Sequence, residues 1–204
     1  MSGRSHIAMG IAAAAVVSAC RVTLPVPMAR VRRGPAVARP VTKVLALPSV
    51  CRYDLCTGGQ RFAVAMKSRM ALEFAGYRII DSERINLFLG NRTERDRRAL
   101  ASEVGQVTVR GATWADATPA QKHVLLRKMG IDAILKTAID FGPTGGAAGD
   151  RLVTVRLELV TPDGQRLRWS SRCAVSAAGP SGFDKAIELA TECSIQSAAR
   201  VGVF

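Results

Sequence analysis

The sequence predicts an α/β sandwich, in which helices pack on a mixed sheet of about five strands. Short apolar runs of strand length alternate with amphipathic segments of helix length, and the turn Pro162-Asp163-Gly164 joins a strand pair that precedes a last helix. The predicted order is β-α-β-α-α-β-β-β-α. Apolar residues make up 48% of the 204-residue chain, which is enough for one sizeable core.

The first half of the domain contains two strand–helix units. KVLALPSV, residues 43–50, is a short apolar run typical of a buried strand. A helix begins at Gly58 and ends before Gly76. Its large apolar side chains recur every four residues and are predicted to face the core: Phe62, Met66, Met70 and Phe74. Residues 77–80 form the second strand, and a short helix follows with the apolar residues Ile85, Leu87, Phe88 and Leu89.

The second half contains one helix, three strands and the final helix. Thr118 caps the first of these helices, Pro119 occupies its first turn and Gly130 follows its end. The polar segment 91–118 shows no clear pattern. The remaining elements are strands over residues 131–141, 151–160 and 165–175, and a helix over about residues 182–200.

The first residues have the pattern of an export signal. Arg4 precedes an apolar run over residues 7–17, which matches a signal core but is too short to cross a bilayer. Val17-Ser18-Ala19-Cys20 resembles the lipobox of bacterial lipoproteins. The resemblance implies that residues 1–19 are a signal peptide that is removed. It also implies that Cys20 becomes the mature amino terminus and carries diacylglycerol and an acyl chain such as palmitate.

Two other interpretations of this segment stay open. The same small residues satisfy an ordinary signal-peptidase site, which would leave a secreted protein with a free Cys20. The apolar run also fits a buried helix of a cytosolic protein. In the enterobacterial sorting rule, Arg21 in place of Asp after the lipidated cysteine implies an outer-membrane anchor, with the domain facing the periplasm.

Residues 20–42 are predicted to be an extended tether, which leaves 43–204 as the single domain. Residues 21–43 are rich in proline, carry six basic residues and contain no acid, so neither helix nor strand is favoured. Arg4 and these six charges leave +6 of the formal charge of +13 to residues 44–204. A basic arm fits anionic lipid headgroups or an acidic partner. Scattered arginines and 5% aromatic content argue against nucleic acid.

Four cysteines remain once Cys20 is assigned to lipid: Cys51, Cys56, Cys173 and Cys193. An even number in an oxidising compartment predicts two disulfides, with three possible pairings. Strand and helix rises place Cys173 and Cys193 at similar heights, ~13 Å and ~16 Å, which favours a Cys173–Cys193 bond and leaves Cys51 with Cys56. No metal site is predicted, because the Cys51–Cys56 spacing is wide for zinc and no His pair accompanies it.

The sequence contains no recognised reaction motif. Gly-x-Ser-x-Gly, His-Glu-x-x-His and the phosphate-binding loop are missing. The glycine-rich segment 142–150 joins two predicted strands, so it lacks the helix amino terminus that binds phosphate. We therefore expect a protein that is not an enzyme and that holds no cofactor.

Four segments resemble the small periplasmic α/β domain of TolB amino-terminal, curli-secretion and penicillin-binding-protein-activator lipoproteins. They are KVLALPSV, GYRIIDSERI, MGIDAILKTAIDFG and VTVRLELVTPDGQRLRWSS, and with the element order they cover about residues 43–200. The resemblance implies an accessory lipoprotein that docks on an envelope assembly, secretion or cell-wall-synthesis complex. A free sheet edge or the 142–150 loop is the predicted contact surface.

Two other classes of function remain open. A periplasmic ligand-binding protein or a hydrolase without a recognisable motif would need a pocket with convergent polar groups. A subunit of a curli-type secretion channel would need further alternating hairpins, whereas residues 151–175 are the only such pair in the sequence.

Overall fold

The structure, a computed structural model, describes residues 28–35, 41–81, 85, 118–143 and 150–202. These residues form one mixed sheet with helices on both faces, which confirms the predicted sandwich. The strands are β1 (Met28–Arg33), β2 (Lys43–Ala46), β3 (Val50–Cys51), β4 (Arg78–Asp81), β5 (Ala133–Pro143), β6 (Arg151–Val160) and β7 (Leu167–Ala177). The helices are α1 (Gly58–Phe74), α2 (Pro119–Lys128) and α3 (Phe183–Arg200), with short 3-10 turns at Arg52–Asp54 and Pro180–Gly182.

The sheet has the strand order β1-β7-β6-β5-β2-β4, and β3 pairs with β5 beyond the end of β2. Strands β2, β3 and β4 run parallel to β5 or to one another, whereas β5, β6, β7 and β1 are antiparallel neighbours. The predicted strand over residues 43–50 is split in two, because Pro48 has no N–H to donate to the ladder. Ser49 still bonds across the gap to the Thr137 hydroxyl.

The predicted tether is wrong over residues 28–33, which form β1 and lie antiparallel to β7. The register runs from Met28 opposite Ala174 to Arg33 opposite Trp169. The physical reason is that β7 would otherwise leave its outer N–H and C=O groups without ladder partners. Gly34 permits the close approach, because a Cβ there would lie 1.6 Å from the Leu167 carbonyl oxygen.

The larger core lies between the sheet and the pair α1 and α3. Alternate residues of β6 point into it and are buried: Val153, Val155, Leu157 and Leu159. Two serines are satisfied inside this core, since the Ser171 hydroxyl donates to the Ser194 carbonyl at 2.7 Å and the Ser194 hydroxyl donates to the Val155 carbonyl at 2.9 Å. The buried side of α3 includes Ile187 and Ala190.

A smaller core lies on the opposite face, under α2. Leu126 of α2 packs over one residue from each of four neighbouring strands: Leu45, Ile80, Ile134 and Val160. Ile85 is helical and buried in the same cluster. The rest of the short helix predicted after β4 and most of the segment 91–118 lie outside the described residues.

Threonine caps begin both α1 and α2. The Thr57 hydroxyl accepts from the Gln60 N–H at 3.2 Å, and the Gln60 side chain accepts from the Thr57 N–H at 2.8 Å. Thr118 and Gln121 form the same reciprocal pair at α2, so the predicted cap is confirmed. Gly130, with φ of 64°, takes the left-handed conformation that ends α2.

Asp132, directly before β5, ties the start of β2 to the sheet. Its Oδ2 accepts from the Thr42 N–H at 3.0 Å, the Thr42 hydroxyl at 2.8 Å and the Lys43 N–H at 2.9 Å. Burial opposes ionisation, but these hydrogen bonds and the nearby Arg168 outweigh it and hold the pKa of the Asp132 carboxyl below its usual value.

Candidate functional site

Half of the α2 side of the sheet is not covered by α2, and we call this half the open sheet face. Residues that are paired in a ladder point to the same side of a sheet, so the strand register defines its members. They are Met28, Arg30 and Arg32 of β1, Ser170, Arg172 and Ala174 of β7, Thr154, Arg156 and Glu158 of β6, Lys136, Ala138 and Asp140 of β5, and Val50 of β3.

Three arginines lie side by side across the open sheet face. Arg30 is directly opposite Arg172, and Arg172 is directly opposite Arg156. Like charges in directly opposed positions destabilise a sheet. The row therefore has a cost in the free molecule, and a bound anion would relieve it.

The acids on this face neutralise only its β5–β6 side. Arg156 approaches Asp140 at 3.4 Å and Glu158 at 3.5 Å, and Arg52 approaches Asp140 at 3.2 Å. In the described part of the chain, Arg30, Arg32 and Arg172 take part in no ion pair. Lys136 is exposed as well. With five basic side chains against two acids, the open sheet face carries a net charge of +3.

Apolar side chains lie at the two borders of this charged surface. Met28 on β1 is 64% exposed, and Val50 on β3 is 60% exposed. A shallow pocket of about 190 Å³ lies beside Val50 and is lined on its polar side by Lys136, Arg156 and Glu158. The surface thus combines exposed cations with accessible apolar groups at its rim.

The apolar stripe of α1 is a second exposed surface, so the prediction that it faces the core is wrong. Phe62 is 67% exposed, Met70 46% and Phe74 86%, while Met66 is half-buried. The buried row consists instead of Val64, Ser68 and Leu72. The two rows differ by two residues, about 200° around a helix, and therefore lie on opposite sides. The core beneath α1 is already filled by the sheet and α3, and the smaller row fits against it.

A groove of about 450 Å³ borders this stripe, between α1 and the carboxyl ends of β2 and β4. Phe62 and Met66 line it from the helix, and Pro48 lines it from the chain after β2. At its polar end Arg69 approaches Asp81 at 3.5 Å. Apolar and charged groups therefore meet in one groove next to exposed Phe and Met side chains.

Ion pairs join α1 to α3 on the side of the molecule away from the open sheet face. Lys67 lies 3.1 Å from Glu192 and 3.3 Å from Glu188. The hydrogen bond to Glu192 outweighs burial and, with Glu188, raises the pKa of Lys67. Lys185, at 2.9 Å, and Lys67 lower the pKa of the Glu188 carboxyl. These groups are exposed, so they orient the two helices more than they stabilise the fold.

The four cysteines form the two disulfides Cys51–Cys56 and Cys173–Cys193, which are the pairs that the sequence analysis favoured. Cys173–Cys193 joins β7 to α3 inside the larger core, and Cys51–Cys56 closes the loop between β3 and α1. The described residues contain no group of three or more His, Cys, Asp or Glu side chains able to hold a metal ion.

Other predicted site features lie partly outside the described residues. Cys20 is among them, so its lipidation stays a prediction. Of the glycine-rich 142–150 loop, only Gly142, Pro143 and Asp150 are described. The described sheet ends at β1 on one side and at β4 on the other, and no described strand pairs with the outer edge of either. None of the helices in the described ranges has the length and apolar character required to span a bilayer.

No protein-family model matches the chain, and no curated protein matches it either. Similar solved structures include the PelC dodecamer from Paraburkholderia phytofirmans, with 14% identity, a TM-score of 0.41, and coverage of 83% of this chain and 98% of that one. Lipoprotein GNA1162 from Neisseria meningitidis has 17% identity and a TM-score of 0.40, covering 78% of this chain and 99% of its own.

The LpoB C-terminal domain from Escherichia coli is also similar, with 13% identity, a TM-score of 0.39, and coverage of 69% and 87% of the two chains. One of these three proteins is a lipoprotein by name. All three identities and TM-scores are low, so the likeness transfers no residue role, partner or activity to this chain.

Proposed function

We propose that this chain is an accessory lipoprotein of the cell envelope, held to the outer membrane through Cys20 and facing the periplasm. It acts by binding another envelope protein rather than by catalysing a reaction. The observation that carries this proposal is the α1 stripe, in which Phe62, Met70 and Phe74 are exposed and Met66 is half-buried.

The stripe supports protein binding because exposing it is costly. Burying a side chain such as Phe or Met is worth roughly 1.5–3 kcal/mol, and this helix leaves several of them in water. The domain has two complete cores elsewhere, so the stripe is not needed for folding. Phe and Met are enriched in protein–protein interfaces. The adjoining groove of about 450 Å³ offers a recess for an anchoring side chain of the partner.

Export is supported by the leader and by the cysteines together. The basic Arg4 and the apolar run over residues 7–17 are typical of an export signal, and two disulfides suit an oxidising compartment. The sequence resemblance suggests assembly, secretion or cell-wall-synthesis machinery as the class of partner. A lipid anchor raises the local concentration of the domain for any partner in the same membrane.

Photo-crosslinking in intact membranes tests the proposed contact. A photoreactive residue is placed at Phe62 or at Phe74, and at the exposed Gln196 of α3 as the matched control. We expect both stripe positions to capture the same envelope protein, and Gln196 to capture none of it. We also expect the double variant Phe62→Asp and Phe74→Asp to fold normally and to lose copurification of that protein. Equal capture at all three positions would contradict a specific contact through α1.

The anchor is tested separately by the mass of the amino-terminal peptide from membrane-fraction protein. A peptide that begins at Cys20 and carries a diacylglycerol and an acyl chain supports the lipoprotein. An unmodified Cys20 terminus means free secretion, and an intact Met1 removes the argument for export.

A further inference from the structure

We propose that the open sheet face binds the anionic phospholipid headgroups of the membrane in which Cys20 is anchored. The inference rests on the proposed function, because the lipid on Cys20 brings this face to a bilayer. It goes beyond that function because it assigns a second binding surface, distinct from the α1 stripe, and a chemical class of ligand.

The protein itself leaves positive charge on the open sheet face unbalanced. Arg30, Arg172 and Arg156 form a row on three neighbouring strands, and the acids of this face contact only the last of them. Guanidinium groups match phosphate oxygens in a two-pronged geometry and lose little hydration on binding. A layer of phosphates would therefore neutralise the row of arginines, whose mutual repulsion is unfavourable in the free molecule.

The open sheet face is broad and has an apolar rim. The strands from β1 to β3 span four inter-strand gaps, about 19 Å, so the surface is broad enough to lie on several headgroups. Met28 and Val50 project from its two borders. A broad basic surface with exposed apolar side chains at its rim is the combination that adsorbs to an anionic interface.

A short connection joins the open sheet face to the proposed anchor. β1 begins at Met28, and the eight Cα–Cα steps from Cys20 span at most about 28 Å even when fully extended. Arg30 and Arg32 follow within the same strand, so the anchor holds the basic row close to the headgroups. An acidic soluble protein would satisfy the charge as well, but it gains nothing from this short connection.

Vesicle binding by the mature chain, residues 20–204 with Cys20→Ser, tests the proposal without help from the lipid. The probes are vesicles of phosphatidylcholine alone and of phosphatidylcholine with roughly one-third phosphatidylglycerol. We expect binding to the anionic vesicles only, with an affinity that falls as salt rises. The triple variant Arg30→Gln, Arg32→Gln and Arg172→Gln is expected to bind at least about tenfold more weakly.

Two further variants control for net charge and for folding. Arg61→Gln, Lys185→Gln and Arg200→Gln remove the same three charges from the exposed sides of α1 and α3, and this variant should keep its binding. Arg30→Lys, Arg32→Lys and Arg172→Lys retain the charge of the open sheet face and should restore most of the affinity.

Equal loss of binding in the α1–α3 variant would overturn the proposal, because binding would then follow only the net charge. Absence of binding to the anionic vesicles overturns it too, as does a preference for poly-glutamate over them. Each of these results leaves the proposed accessory function intact. An unmodified Cys20 with vesicle binding retained would refute the anchor alone.

Discussion

The two halves of one sheet face have opposite chemistry along the same strands. On β5, Ile134 is buried under α2, whereas Ala138, four residues further along the same side, lies beside Arg156 on the open sheet face. β6 shows the same division between Val160, which is buried, and Arg156. Strand alternation decides which side a residue points to, but the nearest helix decides whether that side is apolar. The change from isoleucine and valine to arginine marks the end of the covering helix.

The difference between the two halves is tested most directly by making the same substitution in each of them. Ile134→Gln should destabilise the domain by about 4 kcal/mol, because it removes a buried aliphatic side chain and leaves an amide without partners. Ala138→Gln should change the free energy of unfolding by less than about 1 kcal/mol, since the amide stays in water. Urea unfolding of both variants measures the difference. Equal losses would mean that the two halves are equally covered.

The two disulfides allow a second comparison, on the opposite face of the sheet. Replacing Cys173 and Cys193 together by Ser should cost about 3 kcal/mol, because a loop of 20 residues is released in the unfolded chain. The matched pair, Cys51 and Cys56, closes 5 residues and should cost about 2 kcal/mol. Thermal unfolding ranks the two variants, and the reverse order would disprove the entropic explanation.

Gly34 tests whether β1 belongs to the folded sheet. Gly34→Ala places a Cβ against the Leu167 carbonyl, so we expect a loss of about 2 kcal/mol and faster hydrogen exchange at the β1 amides. Gly58→Ala is the control, because a Cβ at Gly58 meets no atom within 4 Å. Unchanged exchange in β1 after the Gly34 substitution would show that the strand does not depend on this close approach.

Asp132→Asn should destabilise the domain by about 1.5 kcal/mol at neutral pH, from weakened hydrogen bonds to Thr42 and Lys43. The pKa of Asp132 is lowered in the folded state, so its contribution is present above the unfolded pKa of about 3.9 and is lost as pH falls through the folded pKa. Stability measured from pH 7 down to acid should therefore fall less steeply in the variant. Parallel curves would argue against this carboxylate as a source of the acid sensitivity.

Local chemistry made much of this fold predictable from the sequence. Helix α2 begins at the Thr118 cap, with Pro119 in its first turn, and ends at the left-handed Gly130. Each of these signals depends on neighbours within a few residues. The strand pair β6–β7 follows from alternation and from the turn at Pro162-Asp163-Gly164 in the same way.

Two features were not predictable, because they depend on distant partners. β1 pairs with β7, which is far away in sequence, and only Val31 of its six residues is half-buried, so it has almost no apolar alternation. The absence of proline between Pro27 and Pro35 was the one available signal. On α1 two rows with four-residue spacing compete. The larger side chains suggested the wrong one, since the choice depends on what α3 and the sheet already fill.

The candidate surfaces were harder still to predict. The sequence analysis placed the contact at a sheet edge or at the 142–150 loop, whereas the basic row requires the register of three strands at once. Arg30, Arg156 and Arg172 are scattered in the sequence and become neighbours only through that register.

Strand β1 also sets how far the domain could move from the anchor proposed at Cys20. With β1 in the sheet, the connection from Cys20 ends at Met28 and reaches at most about 28 Å. If β1 detaches, the chain is free up to Thr42, which Asp132 holds, and the reach grows to about 77 Å. The Cys173–Cys193 bond would still hold β7 to α3 while this happened. Detachment of β1 alone would therefore lengthen the connection from Cys20 to the domain while the remaining sheet stays in place.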